Sequence, residues 1–187
     1  MQNMIIRVGQ RNSIVQRLHF HTGRMIRLCY PSPMKNLAAK LASLLVAAWV
    51  GGIWAVGYLA VPVLFYGQPD RQLAGMLAGQ MFTLVNYLGL ACGAYLLAWQ
   101  FGTAGRASFR QALFRIVAVM LLITVVLQFG FQPVMAGLKL KALPLDVMHS
   151  TYAGQFRMLH GMSSIFYLIQ SLLGMFLVIR FTKPDNR

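Results

Sequence analysis

The stretch LASLLVAAWVGGIWAVGYLAV, residues 41–61, decides the fold of this chain. It carries no charge and is as long as the roughly 20 apolar residues that an α-helix needs to cross a hydrocarbon core of about 30 Å. Uncharged runs of this kind recur along the chain, at residues 41–69, 72–105, 116–138 and 158–179. None of them alternates polar and apolar residues as a barrel strand does, so each predicts a transmembrane helix.

The sequence therefore predicts an all-α integral membrane bundle of four transmembrane helices. We place the helices at Leu37–Val61, Leu73–Phe101, Ala112–Met135 and Met158–Phe181. The connections are short, so consecutive helices should be antiparallel neighbours in one bundle. Pro62, Pro69, Pro133 and Pro144 are expected to punctuate the connections.

The composition agrees with a lipid environment, because 58% of the residues are hydrophobic and 11% are charged. A soluble domain has about 25% charged residues. Seventeen Lys and Arg against three acidic residues can also indicate nucleic acid as a partner. Here the basic residues flank the apolar runs and form no known nucleic-acid-binding motif, so the expected partner is the lipid bilayer.

The basic residues also predict an orientation. Seven lie in the segment through Lys40, three between Arg106 and Arg115, and three in the tail, thirteen in all on one side. The opposite side carries Arg71, Lys139, Lys141 and Arg157. The positive-inside rule therefore predicts that both termini are cytoplasmic, and we expect a bacterial inner membrane.

Three segments follow: a basic arm at 1–36, the transmembrane domain at 37–181 and a cytoplasmic tail at 182–187. The first thirty-three residues contain no apolar core of a secretory signal. They are interpreted either as an arm lying on anionic lipid or as an artefact of the chosen start codon. The second interpretation is favoured, because Met34 and Lys35 begin a short basic amino terminus that leads directly into the first helix.

Motifs in three helices carry a family resemblance. The first helix contains WVGGIW at 49–54, followed by GY at 57–58 and AVPVLF at 60–65; the second opens with LAGMLAGQMF at 73–82. Together with Phe156, Leu159, His160, Gly161 and Ser163 in the fourth helix, these resemble the transmembrane protein 205-like family (domain of unknown function 4149). The resemblance covers roughly residues 38–181. It implies a four-helix membrane protein without an established reaction.

Small residues four positions apart allow helix backbones to approach closely in lipid. Such pairs are Ala48 with Gly52, Gly51 with Ala55, Gly75 with Gly79, and Gly89 with Gly93. Packing within the bundle is the main interpretation. Homo-oligomer formation through one of these faces is the alternative.

Polar side chains within the spans need partners, because lipid offers no water. Asn86, Gln128 and Gln170 lie near mid-membrane and are candidates for one interhelical amide network. Four further residues fall in the outer half: Tyr58, Gln80, Gln132 and His160. Hydrogen bonding between helices is one interpretation and a polar binding cavity is the other.

No Asp, Glu, Lys or Arg lies in the interior of a predicted span, which argues against proton-relay pumps and voltage sensors. No nucleophile, phosphate-loop or HExxH motif is present, so an enzyme is not expected. The first hypothesis is a non-enzymatic bundle that binds or passes a small apolar or neutral solute, or serves as a partner subunit, without a cofactor. The second is copper or haem binding, with the outer residues His149, Met158, His160 and Met162 as candidate ligands.

Overall fold

The computed structural model describes residues 13–18, 26–31 and 33–182, with side-chain surroundings for residues 37–181. The chain divides into two units, Met1–Leu41 and Ala42–Arg187. In the first unit β1 (Ser13–Leu18) pairs antiparallel with β2 (Ile26–Pro31), with Ser13 opposite Pro31. This hairpin was not expected in the basic arm. The rest of the arm before Pro33, and tail residues 183–187, lie outside the described residues.

Four helical spans are long and apolar enough to cross a membrane: Leu37–Gly67, Arg71–Arg110, Ala112–Ala142 and Ala153–Phe181. The predicted four-helix membrane bundle is thus confirmed. The connections at residues 68–70 and 143–152 lie at one end of the bundle, which we call the distal end. The connection between the second and third spans lies at the other, proximal end, as do the start of the first span and the end of the fourth.

Two of the spans are interrupted by π-helical segments. The first span consists of α1 (Pro33–Trp54), a π segment (Ala55–Ala60) and α2 (Val61–Gly67). The second is α3 (Arg71–Ala104) with a terminal 3-10 turn (Gly105–Arg110). The third consists of α4 (Ala112–Val125), a π segment (Val126–Phe131) and α5 (Gln132–Ala142). The fourth is α6 (Ala153–Thr182), preceded by a 3-10 turn at Val147–His149.

Each π segment ends immediately before a helix whose first turn contains a proline, Pro62 in α2 and Pro133 in α5. Proline lacks the N–H of the helical ladder and its ring clashes with the carbonyl four residues earlier. The extra residue of a π turn shifts the ladder at that point, so the helix continues beyond the proline. The expectation that Pro62 and Pro133 mark connections is therefore wrong, and the first and third helices extend to Gly67 and Ala142.

The hydroxyl of Tyr167 in α6 inserts into the helical ladder of the first span. It donates a hydrogen bond to the backbone carbonyl of Ile53. The backbone N–H of Gly57 lies within hydrogen-bonding reach of the Tyr167 hydroxyl oxygen. In an uninterrupted α-helix the Gly57 N–H bonds directly to the Ile53 carbonyl, four residues earlier. Tyr167 thus gives the Ile53 carbonyl a hydrogen bond from α6 beside the π segment.

The first two spans pack through Trp49, which is fully buried against Gly89 and Gly93 of α3. A Cβ on Gly89 would lie 2.4 Å from Nε1 of Trp49, and one on Gly93 would lie 2.8 Å from Cδ1 of Leu121 in α4. The Gly89–Gly93 pair is therefore the cleft that accommodates the indole ring and lets α4 approach, as the small-residue spacing predicted.

The fourth span closes the bundle against the first and third. A Cβ on Gly174 would lie 3.2 Å from Val50 of α1 and 3.6 Å from Met120 of α4. Trp54 also donates from Nε1 to Ser171 Oγ at 2.8 Å. Side chains from all four spans thus fill the centre, including the fully buried Trp49, Ile53, Leu96, Met120 and Leu177.

The other small pairs have different surroundings. Gly52 faces Leu88 within the bundle, and Gly75 and Gly79 face Lys139 of α5. Gly51 has no heavy atom within 4 Å of its Cβ position, and both Gly51 and Ala55 are exposed. Formation of a homo-oligomer through this last pair stays a prediction.

Candidate functional site

The mid-membrane amides form two separate pairs. Asn86 Nδ2 donates to Gln128 Oε1 at 3.2 Å, which joins the second span to the third. Gln170 Nε2 donates to Thr124 Oγ1 at 2.8 Å, which joins the fourth span to the third. All four side chains are buried. These hydrogen bonds fit an interhelical packing role, worth about 0.6–2 kcal/mol each.

Gln100, near the proximal end of α3, was missed by the sequence analysis. Its side chain is 3% exposed, and within the described residues neither its amide nitrogen nor its amide oxygen has a hydrogen-bond partner. The buried hydroxyl of Ser108 donates to the backbone carbonyl of Gln100 at 2.7 Å and not to its side-chain amide. The proximal end thus contains a buried amide whose hydrogen-bonding capacity is unused in this structure.

The distal end contains a partly buried cation. Lys139 lies in α5, and its Nζ donates to the backbone carbonyl of Gly75 in α3 at 2.8 Å. The same nitrogen lies 5.5 Å from the ring centroid of Phe156 in α6. The sequence placed Lys139 in a loop, but α5 continues to Ala142 and carries this lysine within the third span. The expected position of Lys139 in an outer loop is therefore wrong, because this residue lies in the last turn of the third helix.

Glycines on α3 make room for the ammonium group. A Cβ on Gly75 or Gly79 would lie 3.9 or 3.8 Å from Lys139 Nζ. These are ordinary van der Waals distances, so a side chain larger than alanine would occupy the space of the ammonium group. The Gly75–Gly79 pair, expected to support helix packing, receives a lysine head group here.

Gln132 lies two turns before Lys139 on α5 and completes the polar contacts between α5 and α3. Its Nε2 donates to the Gly79 carbonyl at 3.1 Å and lies 3.4 Å from Thr83 Oγ1. Gln80, the neighbouring candidate on α3, is exposed instead. Of the two outer glutamines that the sequence singled out, only Gln132 therefore contributes to the polar contacts between α5 and α3.

His160 lies beside Phe156 on α6, with the two rings stacked at a centroid distance of 5.9 Å and an interplanar angle of 10°. It is also close enough to Lys139 for the two groups to interact electrostatically. We call Gly75, Lys139, Phe156 and His160 together the lysine cluster. It is formed by α3, α5 and α6 and lies near the distal connections.

The candidate metal ligands are spread over different faces. Met158 and Met162 are four residues apart on α6 and share a face, whereas His160, two residues from each, points to a different side of the helix. His149 is exposed in the 3-10 turn before α6. Within the described residues no three or more His, Cys, Asp or Glu side chains are grouped as metal ligands. The geometry gives copper or haem binding no specific support.

A groove of about 230 Å³ opens between α4 and α6, toward the proximal end. Its lining residues are Ala112, Arg115, Ile116, Val119 and Leu173. None of the residues singled out from the sequence lines this groove.

A family model described as a domain of unknown function (DUF4149) matches residues 44–143, which is more than half of the chain. The chain belongs to the DUF4149 family. The matched DUF4149 region contains the Trp49–Gly89 packing and Lys139 with its Gly75 partner, whereas Phe156 and His160 follow it. No curated protein and no solved structure matches the chain.

The sequence of this DUF4149 chain does contain a signal for the longer third helix. Met135, Leu138 and Ala142 recur at helical spacing, and Leu138 and Ala142 are buried at the distal end against Val147. This pattern continues the helix beyond Pro133 and turns Lys139 toward α3. Gln100 also lies in an apolar run, but it is one residue before the expected end of the second helix at Phe101, where an amide need not be buried.

Proposed function

We propose that this DUF4149 protein is a non-enzymatic membrane protein that binds a small solute at the lysine cluster. The observation that carries the proposal is the position of Lys139, whose ammonium group is turned between helices against the Gly75 carbonyl and the Phe156 ring. A charged group in such a place is costly unless it is paired or functional. Because an ammonium group has three donors, this contact leaves two for a solute.

The filled centre of the bundle supports binding at the distal end over passage along the axis. Trp49, Ile53 and Met120 occupy the axis and are fully buried. The lysine cluster, by contrast, includes the half-buried Lys139 and the exposed His160. A solute could therefore reach it without separating the helices.

The experiment compares the protein with Lys139→Met and Lys141→Met, each purified in mild detergent and analysed by native mass spectrometry. Lys141 is exposed and lies two residues from Lys139, so it controls for the loss of one charge. We expect a small molecule to accompany the wild type and Lys141→Met and to be depleted in Lys139→Met. Equal small-molecule content in all three proteins, including none, would refute the proposal.

We also infer that both termini are cytoplasmic and that the membrane is a bacterial inner membrane. The inference is supported by the Lys and Arg count of the sequence, thirteen on the side of the termini against four on the other, and the helix order keeps Arg106, Arg110, Arg115 and Arg180 on the side of the thirteen. A reporter fused after Arg187 is expected to behave as a cytoplasmic domain, with fluorescence from green fluorescent protein and no alkaline phosphatase activity. The reverse pattern would contradict the orientation.

The narrower name, transmembrane protein 205-like, is likewise a proposal. It rests on the glycine and aromatic motifs of the first and second helices and on the residues around His160.

A further inference from the structure

We propose that the lysine cluster binds an oxyanion, a phosphate or carboxylate group, at the ammonium group of Lys139 beside the stacked rings of Phe156 and His160. This inference rests on the proposed function, because it names the chemical class of the solute. It also replaces the neutral solute that the sequence suggested.

Lys139 forms no ion pair within the described residues. No carboxylate of the described residues lies within the 4.0 Å that defines an ion pair with its Nζ. The Gly75 carbonyl and the Phe156 ring stabilise the cation but supply no negative charge. The two remaining N–H donors match the oxygens of a phosphate or carboxylate, and such charge-assisted hydrogen bonds are about twice as strong as neutral ones.

The carboxylates at the distal end accept hydrogen bonds from backbone N–H groups. Asp70 caps α3 and accepts from the backbone N–H groups of Gln72 and Leu73 at 2.9 and 3.1 Å. Asp146 interacts electrostatically with Lys139, but its carboxylate accepts from the Met148 N–H at 2.8 Å. Two carboxylates thus face four basic side chains at this end: Arg71, Lys139, Lys141 and Arg157. The local excess of positive charge favours an anion.

Two aromatic rings lie beside the ammonium group. Phe156 presents an apolar surface 5.5 Å from Lys139 Nζ, and the stacked His160 ring extends it to the exposed face of α6. An imidazole can also donate a hydrogen bond to an oxyanion. A molecule with an anionic group and an apolar remainder therefore fits, and it can be either a dissolved solute or a phospholipid.

Two probes distinguish these sources. Inorganic phosphate is titrated calorimetrically into the delipidated full-length protein, and retention of phosphatidylglycerol against phosphatidylcholine is measured by native mass spectrometry. Binding of phosphate indicates a free anion, and selective retention of phosphatidylglycerol alone indicates a lipid headgroup. The affinity for phosphate, or the selective retention of phosphatidylglycerol, is expected to fall by about tenfold or more in Lys139→Met, since hydrogen bonds to charged groups contribute at least that factor. Lys141→Met should change the same affinity or retention by less than about twofold.

Lys139→Arg guards against loss of folding, because it keeps the positive charge and the N–H donors that an oxyanion needs and should retain most of the binding. Size-exclusion chromatography checks that every variant elutes as the wild type does. If neither probe binds in a Lys139-dependent way, the oxyanion assignment is wrong. A neutral molecule that accompanies the protein in a Lys139-dependent way would then leave the proposed function standing. Absence of any Lys139-dependent molecule would remove both.

Discussion

Replacing Gly89 with alanine is expected to lower the free energy of unfolding by about 1–3 kcal/mol, because overpacking a filled core costs that much. The new Cβ would lie 2.4 Å from Nε1 of Trp49, a rigid side chain that is fully buried between the first and second spans. Because the indole is fully buried, it has no open space into which to move. Equilibrium unfolding in mixed detergent micelles measures the change.

The matched control is Gly51→Ala, which makes the same chemical change where no heavy atom lies within 4 Å of the Cβ. Both variants gain similar helix propensity, so the difference between them measures the clash. Trp49→Phe should partly rescue Gly89→Ala, and it breaks no hydrogen bond, because the Trp49 N–H has no partner in the described residues. Equal stability of Gly89→Ala and Gly51→Ala would contradict the packing.

Replacing Tyr167 with phenylalanine is expected to destabilise the bundle by about 1–3 kcal/mol, the cost of leaving buried polar groups unpaired. The change removes the hydroxyl that bridges Ile53 and Gly57 but keeps the ring, which packs edge-on against Phe82 at 5.2 Å. The π segment of the first span would then lose its bridge to α6. The same unfolding equilibrium measures this effect.

Tyr58→Phe is the control, because Tyr58 is exposed and contacts Tyr167 through its ring at a centroid distance of 6.5 Å. Its hydroxyl has no part in the bridge, so the control should change stability by less than about 0.5 kcal/mol. If both variants unfold like the wild type, the hydroxyl of Tyr167 does not support the π segment.

The predictions from sequence succeeded where a local pattern has one physical solution. An uncharged run such as residues 41–61 must be helical in lipid, and Gly89 and Gly93 at four-residue spacing must form a shallow face. They were wrong at Pro62 and Pro133, because a general rule about proline was applied where a π turn lets the helix continue. That error placed Lys139 in a connection instead of in the third helix.

The candidate site was only partly predictable, because its contacts join different helices. His160 and Gln132 were identified because polar residues in apolar runs are conspicuous, but their neighbours come from other helices. The pairing of Gln170 with Thr124 was not foreseen, since a threonine can also bond to its own helix, as Thr124 does with the Met120 carbonyl. Sequence spacing does not say which faces meet.

The sequence by itself determined that this chain forms four membrane-spanning helices, because backbone groups in lipid must bond within the helix and the length of each apolar run sets the span. It also determined where close helix contact is allowed, since glycine spacing is a local property. Only the tertiary structure decided that Trp49 fills the cleft at Gly89 and that Lys139 reaches Gly75, with Phe156 beside it. These contacts join residues far apart in the chain, and they depend on helix rotation and on two π turns that no local pattern fixed.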